Sequence, residues 1–322
     1  MVYINLSFMR FNRGLIWIAG AFIVPVAILW GIYAIEDPES RDLDSAARAA
    51  VPGAFAPLAD GYTHYELGGP ATDSRPVVVL AAGFSVPYYI WDPTFKALTS
   101  AGFRVLRYDY YGRGYSDRPA IPYTDDMYVR QLDQLLNHLH MTGPVDLVGI
   151  SFGGSLITSF ADAYPDRVHS LVYFDPSIRH PYPLSVTEQM PRVWNYVTVV
   201  FDERFWPQDQ LSDFLHPERF PDWTKRYREQ MRFKGFRRSR LLEISSNAEV
   251  DQMDQLERVG QHPRPVLVIW GKQDKTVPFD ESEFLMEALP RGRLVPVEGS
   301  GHLPQWEQPD IVHPQLISFL QQ

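Results

Sequence analysis

The stretch GISFGG, residues 149–154, places a serine between glycines and is the first candidate for chemistry in the chain. A G-x-S-x-G pattern is typical of a nucleophile at a sharp turn between a strand and a helix, where larger flanking side chains would collide. The residues before it, PVDLVGI, have the character of a buried strand, and GGSLITSFADAY after it has that of a helix. This context, more than the short pattern itself, predicts that Ser151 is a nucleophile.

The elements that would position Ser151 follow from hydrophobic patterning. From Gly61 onward, short apolar runs alternate with amphipathic stretches. Strands are predicted at 63–67, 76–82, 103–108, 145–150, 170–174, 265–270 and 293–297, and helices at 125–140, 153–164, 280–289 and 311–321. Continuous apolar runs separated by helices predict an α/β fold with a mainly parallel sheet that is covered on both faces.

Four separated motifs in this frame resemble the α/β-hydrolase fold family over roughly 61–322. They are VVVLAAGFS, RYDYYGRGYSDRP, VIWGKQDKTVP and EGSGHLPQWEQP, in addition to the serine turn. The second matches the family's D-x-x-G-x-G-x-S loop through Asp109, Gly112, Gly114 and Ser116. Asp109 is expected to stabilise that turn, because aspartate side chains often accept hydrogen bonds from nearby backbone N–H groups.

The resemblance implies a catalytic triad of Ser151, His302 and an acid. A serine hydroxyl is a weak nucleophile at neutral pH, so an imidazole must take its proton and return it to the leaving group. His302 suits that role, and Asp274 is predicted to orient it. Asp175 is the alternative acid, since it also follows a predicted strand at a position that some family members use.

The resemblance also implies an oxyanion hole made by the backbone N–H groups of Phe84 and Phe152. Many members of the family have His-Gly before the first of these positions, whereas this chain has Ala82-Gly83. Whatever order the histidine gives to the loop must therefore come from other residues.

Residues 14–35 form an uncharged segment of 22 residues, long enough to cross a bilayer that needs about 20. Arg10 and Arg13 precede it and acidic residues follow, which predicts a single-pass anchor with a cytoplasmic N-terminus and an extracytoplasmic catalytic domain. A cleaved signal peptide is the alternative, although its apolar core would normally be only about 7 to 15 residues long.

The predicted domain organisation follows the family. It consists of a cytoplasmic N-terminus (1–13), a transmembrane anchor (14–35), a linker (36–57), a core (58–176 and 262–322) and a helical cap (177–261). Within the cap, the segment 225–240 carries eight basic residues against one acid. It is interpreted either as a solvated helix face or as a surface for anionic lipid or carboxylate.

Composition excludes several function classes. The formal net charge of −9 argues against general affinity for nucleic acid, and the absence of cysteine excludes disulfides and thiolate metal sites. No cofactor or metal ion is predicted, and the oligomeric state stays open.

The expected function is a serine hydrolase of carboxylic esters, such as monoacylglycerols, acting through an acyl-enzyme on Ser151. A carbon–carbon bond hydrolase, a peptidase and a non-catalytic ligand-binding member are the alternatives.

Overall fold

The structure, a computed structural model, describes residues 13–71, 75–178, 183–247 and 251–322. Its strands form one mixed sheet in the order β1-β2-β4-β3-β5-β6-β7-β8. Their bounds are β1 Ala54–Leu58, β2 Gly61–Gly68, β3 Val78–Ala81, β4 Val105–Tyr108, β5 Val145–Ile150, β6 Val168–Phe174, β7 Val266–Gly271 and β8 Gly292–Val297. β1 and β2 pair antiparallel with their neighbours, whereas β3 to β8 are mutually parallel.

Helices cover the sheet and form the insertion between β6 and β7. Their bounds are α1 Arg13–Glu36, α2 Ser45–Ala49, α3 Asp92–Ser100, α4 Asp125–His138, α5 Phe152–Ala163, α6 Pro191–Val197, α7 Trp206–Asp209, α8 Trp223–Met231, α9 Phe236–Asn247, α10 Met253–Gln261, α11 Ser282–Ala288, α12 Pro304–Glu307 and α13 Pro309–Leu320.

Most of the central strands are buried along their whole length, which explains their continuous apolar sequences. β3, β5 and β7 have no exposed residue. Parallel strands must have both faces covered by helices, so they show no alternation of polar and apolar residues. All seven predicted strands are present, and the sheet confirms the predicted α/β fold.

The segment predicted as a linker is more ordered than expected. Residues 36–57 contain α2 and most of β1, which pairs antiparallel with β2. The chain before α2 adheres to the cap: Arg41 N donates to Arg232 O at 2.9 Å, and Lys234 N donates to Arg41 O at 2.8 Å. Charged side chains of this segment also form ion pairs with the rest of the protein: Asp37 with Arg237, Asp42 with Lys234 and Arg48 with Asp117.

The N-terminal helix predicted at 14–35 is present within α1. Among the residues that the structure describes, no helix has the length and apolar character that crossing a membrane requires. The prediction of a membrane span is thus not supported. The end of α1 contacts the cap, where Tyr33 stacks on Tyr196 with ring centroids 5.6 Å apart and its hydroxyl accepts from Asn195 Nδ2 at 3.1 Å.

Candidate active site

Ser151 lies on a strained turn between β5 and α5. Its φ of 54° is in the left-handed region, which non-glycine residues rarely adopt and which is frequent at functional turns. A Cβ on Gly149 would lie 2.3 Å from Gly153 O, and one on Gly153 would lie 2.3 Å from Ala81 O. Both flanking glycines are therefore required by backbone contacts, as the sequence pattern predicts.

The sheet brings the predicted site residues to one edge. Ser151, Asp175, Asp274 and His302 follow β5, β6, β7 and β8, respectively. These four strands are parallel neighbours, so their C-terminal ends meet at the same edge, where ligands of open α/β sheets usually bind. Ser151 N donates to Phe174 O at 3.0 Å, which ties the serine turn to the chain just before Asp175.

His302 and Asp274 form a buried pair. Nδ1 of His302 lies 2.7 Å from Oδ2 of Asp274, whose Oδ1 accepts from the backbone N–H groups of Thr276 (2.8 Å) and Val277 (3.0 Å). Burial opposes the charged imidazolium, but the charge and hydrogen bond of Asp274, with the charge of Asp213, outweigh it and raise the pKa of His302 above 6.5. The imidazole is oriented and made more basic, as a general base requires.

Asp175 lies close to this pair, but the hydrogen bond that it accepts comes from the backbone of β7 and not from His302. It is completely buried, and its Oδ1 accepts from Gly271 N at 2.8 Å. A carboxylate oxygen of Asp175, a carboxylate oxygen of Asp274 and a ring nitrogen of His302 lie within 4.8 Å of one another. Two carboxylates and an imidazole are groups that metal ions accept, but Nδ1 and Oδ2 are already at hydrogen-bond distance. The geometry favours Asp274 over Asp175 as the orienting acid.

The loop predicted to supply half of the oxyanion hole lies beside Ser151. A Cβ built on Gly83 would be 3.6 Å from Ser151 Cβ, and the rings of Phe84 and Phe152 meet edge to face at 6.3 Å. This loop is held by the D-x-x-G-x-G-x-S segment.

Two side chains of that segment supply the order that the missing histidine does not. Tyr110 donates its hydroxyl proton to Ala82 O at 2.8 Å, and Arg113 Nε donates to Phe84 O at 2.8 Å. Arg113 is itself buried and paired with buried Glu243 of α9, whose Oε1 accepts from Tyr128 at 2.7 Å. Neither Arg113 nor Glu243 could be predicted from the sequence, because the two positions are 130 residues apart.

Asp109 has the structural role predicted for it. Its carboxylate accepts from the backbone N–H groups of Tyr88 (2.8 Å) and Tyr115 (3.0 Å) and lies 2.7 Å from Nδ1 of His64. These contacts come from the glycine-containing turn itself, from β2 and from the segment just before α3. They fix the start of the glycine-containing turn, so the pair of His64 and Asp109 is a structural element.

One cation of the basic segment 225–240 is buried inside the protein, which neither interpretation from the sequence assumed. Arg237 is buried and pairs with Glu203 (2.7 Å) and Asp37 (2.7 Å). Arg226 pairs with Asp92 and Lys234 pairs with Asp42. These acids are distant in sequence, so charge counting within the segment could not reveal them. Only the charge of Arg237 is neutralised inside the protein, whereas the pairs of Arg226 and Lys234 lie at the surface.

A profile of the family described as alpha/beta hydrolase fold matches residues 76–309. This chain belongs to the α/β-hydrolase fold family. The match spans β3 to β8, the cap and all the predicted site residues.

Relatives in this family differ in the bond that they hydrolyse. The chain is 27% identical over 237 residues to the 2-hydroxy-6-oxononadienedioate/2-hydroxy-6-oxononatrienedioate hydrolase of Cupriavidus pinatubonensis, covering 70% of this chain and 78% of the relative. It is 26% identical to a thermophilic esterase from Thermogutta terrifontis, with a TM-score of 0.66 over 81% of this chain and 93% of that one. The enol-lactonase from Burkholderia xenovorans has the same fold, with 22% identity, a TM-score of 0.72, and coverage of 84% of this chain and 100% of that one. The chain is a hydrolase of this fold.

Proposed function

We propose that this protein is a serine hydrolase that cleaves carboxylic esters through an acyl-enzyme on Ser151, with lipid-like esters such as monoacylglycerols as the first substrates to test. Ser151 would attack the ester carbonyl, and His302 would accept its proton and pass it to the leaving alcohol. Water activated by His302 would then release the acid. The N–H groups of Phe84 and Phe152 would stabilise the oxyanion.

The observation that carries this proposal is the buried pair of His302 and Asp274 at the sheet edge where Ser151 takes its strained turn. The left-handed φ of Ser151 is energetically unfavourable for a serine, and such strained conformations cluster at functional sites. A binding protein that had lost turnover would need neither this turn nor an oriented imidazole.

The first test is labelling with a fluorophosphonate probe, which reacts with an activated serine. We expect one adduct, located by mass spectrometry at Ser151 and absent after Ser151→Ala. A panel of esters from acetyl to long acyl, run beside a meta-cleavage dienoate and a proline peptide, then separates the reactions. Absence of labelling would support the non-catalytic alternative and contradict the proposal.

A carbon–carbon bond hydrolase is the second candidate, and one cation favours it. The guanidinium of Arg240 lies 5.5 Å from the ring of Phe84, on the oxyanion loop, and 4.4 Å from that of Trp206. Its Nη1 contacts Tyr227 Oη at 3.3 Å, and within the described residues it forms no ion pair. A cation beside the site suits a substrate carboxylate, such as those in the dioates named for the Cupriavidus relative.

We also propose that the protein associates with lipid through α1 and the adjoining part of the cap. Large exposed apolar side chains concentrate here, and in the part of α1 whose side chains the structure describes they do not lie on a single face of the helix. A partner protein would need one apolar face, whereas lipid solvates all of them. These exposed side chains are Val24, Val26, Ile28, Trp30 and Ile35 of α1 and Val186, Met190, Val193, Phe201 and Phe205 of the cap.

Co-sedimentation with phosphatidylcholine vesicles tests this association, because neutral lipid isolates the apolar contribution. We expect Trp30→Ser and Phe201→Ser together to weaken binding. Ile311→Ser, an exposed apolar residue on α13, is the matched control and should have no effect. Equal binding by all three proteins would contradict the proposal. We further propose that the catalytic domain lies outside the cytoplasm. Protease accessibility in intact cells tests this location.

A further inference from the structure

Asp175 is a buried carboxyl group that the proposed mechanism does not use. It has no solvent exposure and lies at the end of β6, directly beside the strand that leads to Asp274. Its φ of 41° is left-handed, a conformation that aspartate and asparagine tolerate better than most residues. The backbone thus holds this carboxyl at a fixed place below the triad.

The two oxygens of Asp175 have unequal surroundings. Oδ1 accepts a hydrogen bond from Gly271 N at 2.8 Å. Oδ2 is buried and, within the described part of the chain, makes no hydrogen bond of good geometry, although the carboxylate of Asp274 is close enough to influence it. An ionised Asp175 with its Oδ2 in that position would be unfavourable, because a buried negative charge requires a compensating cation or hydrogen-bond donors. An oxygen that bears a proton would instead need an acceptor.

The nearest acceptor is the triad acid. A carboxylate oxygen of Asp175 lies within 4.8 Å of one of Asp274 and of a ring nitrogen of His302. We propose that Asp175 is a positioning residue whose carboxyl group, in its neutral form, donates a hydrogen bond toward Asp274 and holds that carboxylate against His302. The inference rests on the proposed function in that it assigns a task to the same site.

The electrostatic setting supports a neutral Asp175. Burial, and then the negative charge of Asp274, raise the pKa of Asp175 well above its usual value of 3.8. Glu307, whose oxygens accept from Gly301 N and Leu215 N, acts in the same direction, and only the N–H group of Gly271 opposes it. His302 faces Asp274, and Asp213, which accepts from Thr276 Oγ1 at 2.8 Å, adds negative charge near the imidazole.

Two substitutions separate a neutral donor from an ionised carboxylate. Asp175→Asn keeps the shape and the donor without charge, and asparagine tolerates the left-handed φ. Asp175→Gly removes the carboxyl without adding backbone strain. We expect the asparagine variant to retain kcat within about threefold of the wild type, and the glycine variant to lose kcat by about tenfold or more with little change in KM, since positioning acts mainly in the transition state.

The pH profile gives a readout that a structural role would not move. If Asp175 is neutral, Asp175→Asn leaves the midpoint of the acid limb of kcat/KM unchanged. If Asp175 is ionised, that substitution removes a negative charge near His302, and the midpoint moves to lower pH. Such a shift would overturn the proposal. So would an asparagine variant as inactive as Asp274→Asn, a glycine variant as active as the wild type, or loss of activity on dialysis against a chelator, which would place a cation between the two carboxylates.

A spectroscopic measurement distinguishes this proposal from the proposed function. The proton between His302 and Asp274 should give a low-field NMR resonance whether or not an ester substrate has been found. We expect that resonance to persist in Asp175→Asn and to broaden or disappear in Asp175→Gly. A lost resonance in the asparagine variant contradicts the role of Asp175, while unlabelled Ser151 with a normal resonance contradicts only the hydrolase activity.

Discussion

Nδ1 of His302 lies 2.7 Å from Oδ2 of Asp274, and both side chains are almost inaccessible to solvent. The remaining oxygen of Asp274 is held by two backbone N–H groups, so the carboxylate is fixed from both sides. The second ring nitrogen of His302 does not face Asp274, and the proposed mechanism assigns to it the proton exchange with Ser151. This arrangement fixes the tautomer that a general base needs.

Removal of Ser151 or His302 should abolish turnover. We expect Ser151→Ala and His302→Ala each to lower kcat for a soluble ester by several orders of magnitude, and the double variant to be little worse, because the groups act as a unit. Ser318→Ala and His138→Ala, at exposed positions, are the matched controls. Turnover close to that of the wild type in either site variant would refute the assignment.

The pH dependence should report His302. Its pKa is raised above 6.5, and only the neutral imidazole can accept the serine proton, so kcat/KM should rise with pH through a midpoint above 6.5. Asp213→Asn removes one of the charges that raise this pKa and should move the midpoint to lower pH. Asp280→Asn, at an exposed and more distant position, is the control. A wild-type midpoint at or below 6.5 would contradict this reading.

Arg113 and Glu243 should matter for stability and for the oxyanion loop. Arg113→Met leaves a buried glutamate without its cation, so we expect a loss of about 3–5 kcal/mol in the free energy of unfolding, measured by urea denaturation. Arg130→Met, which breaks the exposed pair with Asp60, should cost only about 0–1 kcal/mol.

A double variant separates stability from catalysis. Arg113→Met with Glu243→Leu should restore much of the stability but still lower kcat, because Phe84 O loses its donor. Loss of an oxyanion donor costs about 10²–10³-fold, which bounds the effect. Full activity in the stable double variant would show that Tyr110 alone holds the loop.

The sequence was sufficient for the parts of the site that depend on local geometry. The turn at Ser151 requires glycines at 149 and 153, and a strand and a helix beside it, so the pattern carries its own structural context. The C-terminal ends of parallel strands also share an edge, which brings His302 and Asp274 together without knowledge of the loops.

Contacts between distant segments could not be predicted in this way. β1 was not predicted and lies mostly within the predicted linker, because its pairing with β2 depends on a turn and not on a long apolar run. The buried partner of Arg237 is Glu203, and its second partner is Asp37, before α2. The net charge of a basic segment depends on the acidic residues that pack against it in the fold. A single sequence does not show which acidic residues those are.

Arg237 illustrates this correction experimentally. Arg237→Glu places a third negative charge beside Glu203 and Asp37, so we expect destabilisation of at least about 3–5 kcal/mol. Lys225→Glu, an equal change of charge at an exposed position of α8, should change stability by no more than about 0.5 kcal/mol. Thermal and urea unfolding measure both. Similar small effects in the two variants would mean that Arg237 is solvated after all.

Arg240 provides the test of substrate charge. If its guanidinium binds a substrate carboxylate, Arg240→Gln should raise KM for a hemisuccinate ester by about tenfold or more, since a charge-assisted hydrogen bond contributes about 1.5–3 kcal/mol. The neutral butyrate ester of the same alcohol, similar in length, should be hydrolysed as before. Arg204→Gln, at an exposed cation over the ring of Phe205, is the matched control. An equal effect of Arg240→Gln on both esters would assign Arg240 to packing against Phe84 and Trp206, and would favour neutral lipid-like esters over dioates as substrates.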